Sequence, residues 1–78
     1  MKYNYSKLLG RMKELGYTQA KLAKEIGISK ATLNAKLNNW FPFTTDEIIA
    51  ICKVLKIPTK EITKFFYDVS SENWTSEL

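Results

Sequence analysis

The stretch "GYTQAKLAKEIGISKATLNAKLNN", residues 16–39, constrains this chain more tightly than any other part of it. Leu22, Ala23 and Ile26 fall on one face of a short helix that Thr18 can cap. Gly27 then takes the turn, where a positive φ costs glycine nothing sterically. Ser29 caps a second helix, with Leu33 and Leu37 read as its inward residues. Neither helix is long enough to stand alone, so each needs the other. Such a pair holds if Leu22, Ile26, Ile28, Leu33 and Leu37 meet and a small residue, Ala23, stands where the helices touch. The pattern predicts a helix-turn-helix, whose second helix forms a ridge able to enter a major groove about 12 Å wide.

The flanking segments are also helical in pattern. Tyr5, Leu8, Leu9, Met12 and Leu15 have helical spacing, with Asn4 or Ser6 as the N-cap and Gly16 as the stop. Gly10, inside that run, suggests a close helix contact, since glycine there costs about 1 kcal/mol against alanine. Asn38 and Asn39 end the third helix. Thr44 with Glu47 forms a capping-box pattern opening a fourth, "TTDEIIAICKVLK", apolar over a wide face and therefore central. Pro58 stops it, and Thr59 opens a fifth helix carrying Ile62, Phe65 and Phe66. The expectation is an all-α, compact five-helix domain over residues 1–67, followed by an acidic, flexible tail over residues 68–78.

Charge narrows the class of partner. All twelve Lys and Arg lie in residues 1–64 with five acidic residues, making that part +7, and the remaining three acids give the end −3. A basic body of this kind suits a polyanion. With no histidine and one cysteine, Cys52, there is neither a zinc set nor an internal disulfide. Cys52 has helical spacing with Ile48, Ile51 and Leu55 and reads as a packing residue. No glycine-rich phosphate loop or nucleophile–base pair is evident, so the chain reads as a non-enzyme without cofactor, metal or small-molecule ligand. No apolar run is long enough for a membrane span, and no signal-peptide core is present; the cytoplasm, here that of a bacterial host cell, is the expected compartment.

The segment from residue 16 to residue 39, the Pro-containing loop after it and "TDEIIAICKVLKI" together resemble the lambda-repressor/Cro-like (XRE-type) helix-turn-helix family of phage and bacterial transcription regulators. The resemblance covers about residues 4–67, and "EITKFF" looks like short repressors of phages from Gram-positive bacteria. It implies a five-helix domain that binds double-stranded operator DNA as a homodimer on a two-fold site. Two departures stand out. Asn39 occupies a place where the family often has glycine, and the usually polar loop is here Trp40-Phe41-Pro42-Phe43.

With Leu33 and Leu37 inward, Ala31, Thr32 and Ala35 point outward, flanked by Asn34 and Asn38 on one side and Lys36 on the other. Lys30 can donate to guanine and Asn34 can pair with adenine, while Ala31 and Ala35 permit close approach to a thymine methyl. The resemblance implies that Gln19 meets a phosphate and braces the recognition helix. Lys21, Ser29, Thr32, Lys36, Asn38 and Asn39 complete the expected DNA-backbone contacts. Lys7, Arg11 and Lys13 read as a solvated face. Two of Trp40, Phe41 and Phe43 are expected to close the core. Phe65, Phe66 and Tyr67 either fill the core or form a dimer patch, which Trp74 can join. The leading function is a sequence-specific transcriptional regulator, a phage repressor or Cro-type switch protein acting by operator occupancy. The alternative is a protein-interaction module on the same fold, antitoxin-like or antirepressor-like.

Overall fold

In the computed structural model, which describes residues 2–69, the chain forms α1 (Ser6–Glu14), α2 (Gln19–Ile26), α3 (Lys30–Leu37), α4 (Thr45–Leu55), a 3-10 turn (Thr59–Glu61) and α5 (Ile62–Phe66). The architecture is the expected all-α one. Thr18 Oγ1 accepts from the Lys21 N–H and Ser29 Oγ from the Thr32 N–H, so both middle helices start where their capping residues dictate. Thr44 and Glu47 close a reciprocal capping box at the start of α4. Gly16 and Gly27 stop α1 and α2 at φ of +76° and +82°. At α1 the expectation fails in detail: Tyr5 is the N-cap residue, and Asn4 Oδ1, from before the helix, accepts from the N–H of Ser6, its first residue.

The core joins one stripe from every helix. Leu8 and Met12 of α1, Leu22 and Ala23 of α2, Leu33 of α3, Ile48, Ile51 and Leu55 of α4, and Phe66 of α5 are buried together with Tyr5 and Ile57. Helix α2 packs on α3 and α4, and α1 on α5. Each fully buried leucine or isoleucine contributes about 1.5–3 kcal/mol relative to its exposed state, which offsets the low intrinsic stability of such short helices.

Several expected inward residues lie elsewhere. Leu9, Leu15 and Ile49 are exposed. Gly10 is exposed, and a Cβ built on it meets nothing within 4 Å, so no close helix contact explains it. Of the loop aromatics only Phe43 enters the core, standing edge-on to Tyr5 and Phe66 at centroid distances of 5.5 and 5.6 Å. Trp40 and Phe41 are 76% and 62% exposed, so the expectation that two of the three would close the core is corrected. Helix α5 opens through the 3-10 turn after Pro58, without a side-chain cap from Thr59.

The two ends of the described segment meet. Tyr3 and Val69 form an isolated antiparallel bridge, and the Asn4 N–H donates to the Asp68 carbonyl at 2.6 Å. Asp68 and Val69, read from the sequence as the start of the tail, thus pair with the N-terminal segment; Trp74 lies outside the described residues. Arg11 is not simply solvated. Its Nε donates to the Leu55 carbonyl at 2.8 Å and its Nη2 to the Lys56 carbonyl at 3.3 Å, satisfying the end of α4, while Nη1 pairs with Glu14.

Candidate nucleic-acid interface

Residues 27–29 join α2 to α3, and the start of α3 presents Lys30, Ala31 and Thr32 to solvent, with Asn34 exposed one turn on. Ser29 Oγ, besides capping the helix, donates to Thr32 Oγ1 at 2.8 Å, which ties both hydroxyls to the helix start. Ala35 is half-buried and lines a shallow groove with Ala31, Thr32, Lys36, Phe41 and Pro42. The exposed Phe41 therefore stands beside the expected reading helix as one wall of an apolar trough.

Gln19, at the first position of α2, and Asn34, in the middle of α3, are brought together: Asn34 Nδ2 donates to Gln19 Oε1 at 3.0 Å. Asn38 Nδ2 donates back to the Asn34 carbonyl at 2.8 Å and to Asn34 Oδ1 at 3.2 Å. Asn39 is placed differently. It takes φ of +65°, and its side chain accepts from the Tyr3 N–H at 2.8 Å and donates to the Tyr3 carbonyl at 3.1 Å. That amide is committed to the N-terminal segment, and the Asn39 N–H donates to the Lys36 carbonyl at 3.0 Å, so the expected Asn39 phosphate contact is left without a free main-chain donor. Lys21 lies with Nζ 4.7 Å from the centroid of the Tyr17 ring, a cation–π pair that holds it at the start of α2.

Lys36 is the main correction. The expected outward phosphate contact is 9% exposed, and its Nζ lies 2.5 and 2.6 Å from the two carboxylate oxygens of Glu47 on α4. Helical spacing explains this: counted from the buried Leu33, the residue three on is Lys36, and it turns further inward than Leu37, which is only half-buried. Burial alone would push the Glu47 carboxyl up. The Lys36 hydrogen bond, the Thr44 N–H, the Lys36 charge and the Thr44 hydroxyl outweigh it and hold the group below the usual carboxylate range. Lys21 and Lys30 are both exposed, and no acidic residue occurs from Ser29 to Asn39.

The expected dimer patch is divided. Phe66 is buried in the core, Phe65 is half-buried, and the exposed Tyr67 stands edge-on to Tyr3 at 5.6 Å. Sequence reasoning missed Glu47 as the partner of Lys36 and Tyr3 as the partner of Asn39. The capping-box pattern placed Glu47 but gave no sign of its second bond. Among the described residues no group of His, Cys, Asp and Glu is placed to hold a metal ion, and no helix is long and apolar enough to cross a membrane.

These features define a small five-helix all-α domain in which two short helices, locked across a glycine turn, present one open polar face. The chain belongs to the family DUF739, described as "Protein of unknown function", which matches residues 1–69. Among solved structures it is similar to the modulator of repression (MOR) of the temperate bacteriophage TP901-1 from Lactococcus lactis, with 36% identity and a TM-score of 0.74 over 90% of this chain and 97% of that one. No curated protein matches the sequence.

Proposed function

We propose that this protein is a phage transcriptional regulator that binds operator DNA sequence-specifically through α3, as a homodimer on a two-fold site. The observation that carries the reading is the exposed face of α3: Lys30, Ala31 and Asn34 are exposed in a segment without an acidic residue from Ser29 to Asn39, and Asn34 is held against Gln19 at the start of α2. Lys30 and Asn34 read base edges; Ala31, and Ala35 from its half-buried position, permit close approach. Gln19, Lys21, Ser29 and Thr32 meet phosphates and set the register, whereas the main-chain N–H groups of Asn38 and Asn39 are taken by the Asn34 and Lys36 carbonyls. Lys36 is assigned to α3–α4 packing and leaves the contact set. Action is by occupancy in the bacterial host cell, without catalysis. The similarity to a phage modulator of repression supports a role in the control of repression.

The test is selection of bound duplexes from a random pool at about 150 mM salt, where nonspecific binding is weak. Enrichment of an inverted repeat with half-sites about one helical turn apart is the expected result. A pool that stays random with folded protein overturns the reading. It would favour the second one, a protein-interaction module that modulates another regulator, for which the exposed Trp40 and Phe41 beside α3 supply an apolar surface.

A further inference from the structure

The three amides of Gln19, Asn34 and Asn38 form a chain whose direction can be deduced. The Asn38 amide touches the main-chain carbonyl of Asn34 at 2.8 Å, and a carbonyl only accepts, so the Asn38 atom there is nitrogen. That nitrogen also meets the Asn34 side chain at 3.2 Å, so the Asn34 atom facing it is oxygen. The other end of the Asn34 amide is then nitrogen, and the Gln19 atom it meets at 3.0 Å is oxygen. One main-chain acceptor, the Asn34 carbonyl, thus fixes the orientation of all three groups. Each Asn34 polar atom keeps one unused bonding position, a hydrogen on Nδ2 and a lone pair on Oδ1. Gln19 Nε2, which has no protein partner among the described residues, faces away as a donor.

We infer that Asn38 is a positioning residue for base recognition: touching no base, it sets which way round Asn34 is presented, and through Asn34 it leaves Gln19 with a donor for phosphate. The inference rests on the reading of α3 as the DNA-contacting helix. In the major groove adenine offers an N7 acceptor and an N6–H donor side by side. Asn34 as oriented meets N7 on the side toward Gln19 and N6 on the side toward Asn38. A thymine–adenine pair presents the same atoms in reverse order, and guanine presents two acceptors. The relay therefore selects adenine on one strand. Exclusion of water on binding strengthens its bonds.

Asn38→Asp reverses the relay. A carboxylate cannot donate to the Asn34 side chain, so Asn34 turns its Nδ2 toward residue 38 and its Oδ1 toward Gln19 Nε2, leaving Gln19 Oε1 facing the phosphate. The experiment combines side-chain amide NMR of the free protein with binding to duplexes varied one base pair at a time, for wild type, Asn38→Ala and Asn38→Asp. The expected result is displacement of the Asn34 and Gln19 side-chain amide resonances in Asn38→Asp. Discrimination at one base pair then falls by about tenfold, with preferences at the other positions kept. Unmoved Gln19 amide resonances in that variant overturn the relay whatever the DNA result. Moved resonances with unchanged base preferences overturn Asn38 as a specificity residue. A wild-type protein that prefers no sequence sinks the DNA-binding reading instead, and the amide resonances still decide the relay.

Discussion

Lys36 and Glu47 clamp α3 to α4: the ammonium bonds both carboxylate oxygens, and the two side chains are 11% and 14% exposed. Glu47 Oε1 also accepts from the Thr44 N–H at 2.9 Å, so one carboxylate serves both the start of α4 and the seam with α3. Removing one partner of a nearly buried pair strands the other charge. Lys36→Met is expected to cost about 3 kcal/mol in urea unfolding. Lys36→Met combined with Glu47→Gln should cost less than Lys36→Met alone, because Gln can still close the capping box and no buried charge remains.

The same pair fixes the sign of a pH dependence. Glu47 titrates below its ordinary range in the folded protein. Its contribution is therefore present above the unfolded value, about 4.3, and is lost as pH falls through the folded one. Urea midpoints should drop on acidification through that window, and Glu47→Gln should flatten its share of the drop. An unchanged slope in Glu47→Gln would remove Glu47 from the acid limb.

Backbone conformation gives a second set of outcomes. Gly27 takes φ of +82° with open space where a Cβ would go, so Gly27→Ala should cost about 1 kcal/mol through the backbone alone. Lys56 holds φ of +55° at the end of α4, where its carbonyl, not its side chain, is engaged by Arg11, and Lys56→Gly should gain about 0.5–1 kcal/mol. Asn39→Gly should lose stability despite relieving the same strain, because two bonds to Tyr3 disappear, each worth about 1 kcal/mol. Gly10→Ala on the open face of α1 should gain about 0.5–1 kcal/mol. Thermal or urea unfolding of the four variants checks the signs.

The legible parts of the fold were those written in local chemistry. Thr18, Ser29 and the Thr44–Glu47 box start three helices, and Gly16 and Gly27 stop two, because capping and positive φ depend on residues within one turn. Family resemblance implied that Gln19 braces the recognition helix but named no partner, and the bond to Asn34 emerged only in the structure. Long-range choices stayed hidden. Apolar periodicity favoured Leu37 as the inward residue one turn after Leu33, whereas a lysine with a distant carboxylate takes the deeper position. Nothing near Asn39 in sequence announces that Tyr3 will return to meet it, and nothing in "WFPF" tells Phe43 from Phe41.

That aromatic loop separates stability from recognition. Phe43→Ala should cost about 3 kcal/mol, since the ring stands edge-on to both Tyr5 and Phe66. Trp40→Ser and Phe41→Ser should stay within about 0.5 kcal/mol of wild type, because both rings are largely in solvent. A large loss of stability in Phe41→Ser would place its ring in the core rather than on the wall of the α3 groove.

The sharpest test of the proposed interface compares three substitutions on one DNA panel. Asn34→Ala removes the amide at the centre of the α3 face and should relax preference at one base pair by about 1–3 kcal/mol. Lys21→Ala, at the start of α2, should weaken binding to all sequences alike and reduce the salt slope by about one. Lys36→Met should leave the salt slope of the folded protein unchanged, because its ammonium is neutralised by Glu47 inside the α3–α4 seam. A salt slope that falls in Lys36→Met as it does in Lys21→Ala would mean that Lys36 leaves Glu47 to meet a phosphate on DNA.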